Sequence, residues 1–191
     1  MNNIQKKKGF TLIELLIVIA IIAILGSATV LVLNPVELMA QSRDGTRLND
    51  LDSLRNAINN YLVNTTTVSM GSCASVACTT AQPGTTYNAN FLGLATATTT
   101  NFTVSTVTTV AGAGWVPINF GALTGGSPIA ALPLDPNNGN SGCLYGFRYE
   151  GTNNTFKLST RLESSKYSTK ATNDGGTNTA YYEIGTNMAS F

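Results

Sequence analysis

The chain has 191 residues, enough for one domain beyond an N-terminal anchor. Only 11% are charged, 11 basic against 10 acidic, and Thr, Asn, Gly and Ala are abundant, which suits an exported protein and not a disordered one. There is no histidine, which excludes histidine acid–base catalysis, Ser-His or Cys-His nucleophiles and histidine-ligated zinc.

The first element is an anchor. Lys6, Lys7 and Lys8 precede Gly9, and an apolar run of 24 residues extends from Phe10 to Leu33. At about 1.5 Å per residue, a helix of that length crosses a hydrocarbon core of about 30 Å. Sixteen of its residues are Leu, Ile, Val or Phe. Each favours insertion by roughly 0.3 to 0.6 kcal/mol, which together outweighs the roughly 2.5 to 3.5 kcal/mol cost of one carboxylate, Glu14. The lysines on one flank orient the N-terminus to the cytoplasm and the body outside. A secretory signal carries its small-residue cleavage site after the apolar region, and here the small residue, Gly9, stands before it.

The stretch Gly9-Phe10-Thr11-Leu12-Ile13-Glu14 resembles the prepilin peptidase site of type IV pilins and pseudopilins. That resemblance implies cleavage of the leader, residues 1–9, between Gly9 and Phe10, and N-methylation of the new Phe10 amine. It implies that residues 10–33 remain as membrane anchor and filament core. It also implies that Glu14 reaches the Phe10 amine of a neighbouring subunit and fixes the axial step of a filament. Glu14 lies four residues beyond the new terminus, about 6 Å along a helix, and pairing offsets the cost of a buried carboxylate. A carboxylate inside a membrane span is by default a functional candidate.

Asn34-Pro35 ends the run. Pro35 removes a backbone donor and crowds the preceding turn, and Gly26 weakens the helix before it, so a break or kink is expected between Gly26 and Pro35. Residues 34–62 then form the amphipathic half of one bent helix. Leu48, Leu51, Leu54, Ile58, Tyr61 and Leu62 make its apolar stripe, with Arg47, Asp50, Arg55, Asn56 and Asn59 opposite.

Residues 63–191 are expected to be a globular head, of which 63–127 is a Thr-rich variable region. Within it, Phe102 to Val110 alternates like a strand, and Trp115 fits a core or edge aromatic. Cys73, Cys78 and Cys143 allow one disulfide: Cys73–Cys78 is nearest in sequence, and Cys143 is the alternative partner of either. The sequons at Asn64, Asn101 and Asn153 match the glycosylation pattern at a rate chance explains in so Asn/Thr-rich a chain.

The prolines of Ser127 to Pro136 make an extended connector, and Asn137 to Asn140 a turn. Leu144–Glu150 and Thr155–Glu163 then form a hairpin about Gly151-Thr152-Asn153-Asn154, with Phe156, Leu158 and Leu162 inward and Lys157, Ser159, Arg161 and Glu163 outward. A polar loop over 164–178 leads to a last strand, Ala180–Ile184. The order Leu132-Pro133-x-Asp135-Pro136, aromatic strand, alternating strand is similar to the C-terminal half of pseudopilins and short pilins. In the major pseudopilin of type II secretion a calcium ion sits in the C-terminal loop. Here Asp174 is the one acid in the matching region, thin for a cation that takes six to eight oxygens, so no metal and no cofactor is expected.

The expected fold is α+β, a long N-terminal helix packed on a small antiparallel sheet (about 143–185), as in pilins. The expected function is that of a type IV pilus subunit rather than an enzyme: a membrane protein before assembly, then part of a homo-oligomeric extracellular filament serving adhesion, motility or DNA uptake. Its implied partners are the prepilin peptidase, the pilus assembly machinery and the inner or cytoplasmic membrane. The rival within the family is a pseudopilin of a type II secretion or competence system. Without the leader lysines, eight basic side chains face ten acidic ones, so no nucleic-acid stripe is visible. No two of Asp135, Glu150, Glu163, Asp174 and Glu183 show the spacing of a hydrolase pair.

Overall fold

The computed structural model describes residues 9–69, 77–79, 102–138, 144–151 and 153–188. It divides into two units, Met1–Met39 and Ala40–Phe191.

In the first unit, helix α1 spans Leu12–Leu33. Its residues from Leu12 to Val30 are long and apolar enough to cross a membrane, and none of that stretch is buried. At about 1.5 Å per residue, 19 residues reach some 28 Å. The expected weak stretch stays helical from Gly26 to Leu33. Ser27 and Thr29 donate their hydroxyls to the carbonyls of Ile24 and Gly26, each at 2.8 Å, the back-bonding that lets small hydroxylated residues sit in an apolar helix. The break falls at one residue, Asn34, in the left-handed conformation (φ 39°). Asn34 tolerates that conformation better than a branched residue would. Helix α2, Pro35–Asn64, starts directly after it, with proline in the first position, where its missing N–H costs nothing. The expected single bent helix is therefore two helices meeting at Asn34.

The second unit is an α+β head. Its sheet runs in the order β2-β1-β3-β4-β5, from β1 (Ala77–Thr79), β2 (Phe102–Val104), β3 (Tyr145–Glu150), β4 (Thr155–Thr160) and β5 (Tyr182–Gly185). β1, β3, β4 and β5 pair antiparallel, while β2 adds to β1 in parallel. The sheet is thus antiparallel except at one edge. The strand expected over Phe102–Val110 is three residues long; beyond it Val107 is half exposed. The hairpin turn uses Asn154 at φ 52°.

Cross-strand pairing places Phe147, Leu158 and Ile184 in one row, with Tyr149 opposite Phe156 beside it. Onto this face pack Leu51, Leu54, Ala57, Ile58 and Tyr61 of α2, joined by Trp115, Val116, Ile118, Phe120 and Leu132. Trp115 is buried as expected, its indole donating to the Pro133 carbonyl at 2.9 Å. Leu48 and Leu62, at the ends of the expected stripe, are half-buried.

The other face of the sheet is covered too. The expected polar loop over 164–178 contains helix α3, Ser165–Thr172, capped by the Ser164 hydroxyl, which accepts from the Tyr167 amide. As a result Lys157, expected outward, is fully buried and pairs with buried Glu183 at 2.8 Å. Glu183 also accepts from the Thr177 and Asn178 amides at 2.6 and 3.1 Å. Gly176 makes room for that carboxylate: a Cβ there would lie 1.9 Å from Glu183 Oε2. Asp174 accepts from the Gly176 and Glu183 amides, both at 2.7 Å, so its carboxylate ties the loop to β5.

A second buried charge cluster corrects the sequence expectation for Arg47, assigned to the solvent side of α2. Arg47 is fully buried. It grips Asp135 with two donors, Nε at 2.7 Å and Nη2 at 2.9 Å, donates to Asp44 at 2.8 Å, and also pairs with Glu163. Asp44 in turn accepts from the Ser164 amide at 2.8 Å and its hydroxyl at 2.6 Å. Glu163, also expected outward, is half-buried and shared with Arg43. The true buried stripe of α2 runs Ala40, Asp44, Arg47, Leu51, Leu54, Ala57, Ile58 and Tyr61: its first half is charged and its second apolar. Burial works to lower the Arg47 pKa, but the hydrogen-bonded carboxylates of Asp135, Glu163 and Asp44 outweigh it, and the guanidinium is held more firmly charged than usual.

Candidate functional site: the start of the apolar helix

The features that single out the N-terminus are set by six residues. Gly9 and Phe10 lie before the helix, and Phe10 is 85% exposed. An added Cβ at Gly9 would meet nothing within 4 Å. Nothing among the described residues therefore requires glycine there.

Thr11 is the N-cap, in extended conformation. Its hydroxyl accepts from the Glu14 amide at 3.3 Å, while Glu14 Oε2 accepts from the Thr11 amide at 2.9 Å and the Thr11 hydroxyl at 2.8 Å. This is a reciprocal capping box, satisfying backbone donors that a helix end leaves open. In an apolar surrounding an unsatisfied donor costs several kcal/mol. Glu14 thus has a task inside its own helix, which sequence reasoning missed. The signal was present: Thr11-x-x-Glu14 ahead of an apolar run is the capping-box pattern. The carboxylate is therefore held at the first turn, one residue from Phe10.

Beyond Glu14 the surface of α1 is apolar all round. Leu16, Ile19, Ile22 and Leu25, for example, are each more than half exposed. A helix with no polar face is built for burial in lipid or among other helices. Gly26, like Gly9, has open space around it, so the chain itself would accommodate a side chain there.

Of the other residues marked in the sequence, Pro35 begins α2, immediately after the break. Cys73 and Cys143 lie outside the described residues. Cys78 lies in β1, opposite Phe147 of β3. The acids Asp135 and Glu163, scattered in sequence, converge on Arg47, where paired charges leave neither free for acid–base chemistry. Among the described residues no group of three or more Cys, Asp or Glu is arranged to hold a metal ion.

A family model described as the prokaryotic N-terminal methylation motif matches residues 4–30, covering Gly9, Phe10 and Glu14 and most of α1. No curated protein and no solved structure matches the chain.

Proposed function

We propose that this type IV pilin- or pseudopilin-like chain is the structural subunit of a pilus, cleaved after Gly9, N-methylated on Phe10, and polymerised through α1. The observation that carries the reading is the all-round apolar α1, unburied from Leu12 to Val30, most of which lies within the methylation-motif match. One such surface serves two solvents in turn: lipid before assembly and the helices of neighbouring subunits after it. Apolar area of this extent, worth about 25 cal/mol per Å² when removed from water, keeps α1 out of water in both states.

In the membrane form the lysine-rich leader stays on the cytoplasmic side and the head lies outside. Cleavage creates a positive amine on Phe10, beside the turn where Glu14 is held by Thr11. In the filament, Glu14 exchanges part of its capping role for the amine of a neighbouring subunit, which sets the axial step. The peptidase, the assembly machinery and the membrane are the partners this route requires. The long Thr-rich stretch over 63–127 favours a surface-displayed pilin over a pseudopilin.

Mass spectrometry of sheared surface filaments tests the reading. The subunit should start at methylated Phe10 and dominate the preparation. A chain still starting at Met1, or cut after residue 33, would overturn it, and a trace subunit would point to the pseudopilin role. Gly9→Val should leave an intact, folded, unprocessed chain, because a Cβ added at position 9 would meet nothing within 4 Å among the described residues.

A further inference from the structure

Two clefts flank helix α3, and they differ in charge. The first, about 500 Å³, holds Arg55 and Lys170 but also the carboxylates of Asp174 and Glu183. Arg55 is moreover paired with Asp52 at 3.0 Å. With two acids among its lining residues, that cleft is not a site for an anion. The second cleft, about 480 Å³, is lined by Arg161, Leu162, Ser168, Ala171, Thr179, Ala180 and Tyr181. It contains one cation and no acid.

We propose that this second cleft is a binding site for a carboxylate-bearing sugar unit, an acidic monosaccharide presented singly or at the end of a glycan. Its size falls within the range of small-ligand pockets, about 300 to 1,000 Å³. Its chemistry combines the three elements such a unit needs. Arg161 is exposed and makes no ion pair among the described residues, so its planar fork is available to grip a carboxylate with two parallel hydrogen bonds. Leu162, Ala171 and Ala180 supply an apolar floor, and the half-buried Tyr181 ring a flat wall against which the C–H face of a sugar packs. Ser168 donates its hydroxyl to the Ser165 carbonyl at 2.9 Å, which leaves the oxygen's lone pairs to accept from sugar hydroxyls, and the Thr179 hydroxyl lines the same cleft.

The frame that holds these residues is firm. Arg161 follows β4 directly, Ser168 and Ala171 stand on α3, and α3 is fastened at its N-terminus by Asp44 through Ser164. The site belongs to the head and does not depend on whether the head is displayed on a pilus. In a filament, however, repetition of a weak site along the shaft would multiply its hold on a surface carrying many such sugars.

Titration calorimetry on the full chain in detergent, with sodium glucuronate, glucose, glucose 6-phosphate and inorganic phosphate, tests the assignment. Glucuronate should bind in the millimolar range and glucose at least about tenfold more weakly, a difference of about 1.4 kcal/mol. Arg161→Gln should bring glucuronate down to the level of glucose with the melting temperature unchanged, since Arg161 is exposed and makes no ion pair among the described residues. Tyr181→Leu should weaken glucuronate and glucose alike. No heat from glucuronate at tens of millimolar, or unchanged binding in Arg161→Gln, overturns the proposal. So does inorganic phosphate that binds as well as glucuronate, because the cleft would then hold any small anion and read no sugar.

Discussion

The guanidinium of Arg47 and the carboxylate of Asp135, 88 residues apart in the chain, meet in a two-pronged hydrogen-bonded pair from which solvent is excluded. The pair joins α2 to the proline-rich connector, and through Asp44 and Glu163 it reaches the junction of β4 and α3. Removing one partner of such a pair strands the other charges. Arg47→Ala should cost about 3 to 5 kcal/mol, whereas Arg43→Ala, at a half-exposed member of the cluster, should cost less than about 1 kcal/mol. Urea unfolding followed by tryptophan fluorescence of Trp115 checks both. Equal, small losses would show that the cluster does not hold the head together.

The Lys157–Glu183 pair on the opposite face of the sheet allows a sharper test. Lys157→Met alone leaves a buried carboxylate facing an apolar side chain and should cost about 3 to 5 kcal/mol. Adding Glu183→Gln removes the stranded charge while keeping an acceptor for the Thr177 and Asn178 amides. The double variant should therefore be more stable than the single one. A purely additive cycle would contradict the coupling.

Tyr145 should contribute to the loss of stability in alkali. Its hydroxyl is buried and donates to Asp50 at 2.7 Å. Burial, and then the hydrogen bond and charge of Asp50, push its pKa well above the usual value of 10.0. Above that value the unfolded chain releases the tyrosine proton and the native chain keeps it, so the unfolded state binds fewer protons and stability falls as pH rises. Its contribution is complete below pH 10 and is lost above it by about 1.4 kcal/mol per pH unit. In Tyr145→Phe, stability measured from pH 8 to 11.5 should decline less steeply by about that slope. Parallel curves for the two proteins would refute the assignment.

Glu14 should show stability and function moving in opposite directions. Glu14→Leu should favour membrane insertion by about 3 kcal/mol, yet abolish or cripple filament formation. Glu14→Gln separates the two tasks proposed for the side chain. It keeps an acceptor for Thr11 but loses the charge that would meet a neighbouring Phe10 amine. Normal filaments from Glu14→Gln would leave the capping box as the whole role of this residue.

Between Gly26 and Pro35 the isolated chain is helical up to Asn34. In an assembled filament this stretch should unwind over residues 26–34, lengthening its rise from about 1.5 toward 3.3 Å per residue. Gly26 costs the helix about 1 kcal/mol relative to alanine, and Pro35 offers no amide to the turn before it. A filament map with unbroken helix through Leu33 would exclude the transition. Gly26→Ala combined with Pro35→Ala should stiffen the fibre or block its assembly.

The parts of the fold visible in the sequence were those written as local pattern. The apolar stripe from Leu51 to Tyr61 and the alternation of Phe156 and Leu158 mark faces that do meet. Local pattern misplaces Arg47 and Lys157, because polarity alone assigns both to solvent. Arg47 sits four residues before Leu51 and seven before Leu54, on the buried face of α2, but two of its three partners lie 88 and 116 residues away. Lys157 is enclosed because α3 and the loop after it cover a face that alternation leaves open, and the polar sequence of α3 hides its helix. At the N-terminus the apolar helix is legible from its composition, while the bond between Thr11 and Glu14 is hidden from a reading that gives the carboxylate to a distant amine instead of its own helix.

The grip of Asp44 on Ser164 also orders events in time. The two residues are 120 positions apart, so the head cannot close around its charged cluster while Ser164 is still being synthesised. Contacts of such separation are reached late, after the entropy of closing a long loop has been met. Until then, the members of the cluster that α2 carries, Arg43, Asp44 and Arg47, are better hydrated than buried. The charged half of α2 thereby ties the closing of the head to a segment made 120 residues later.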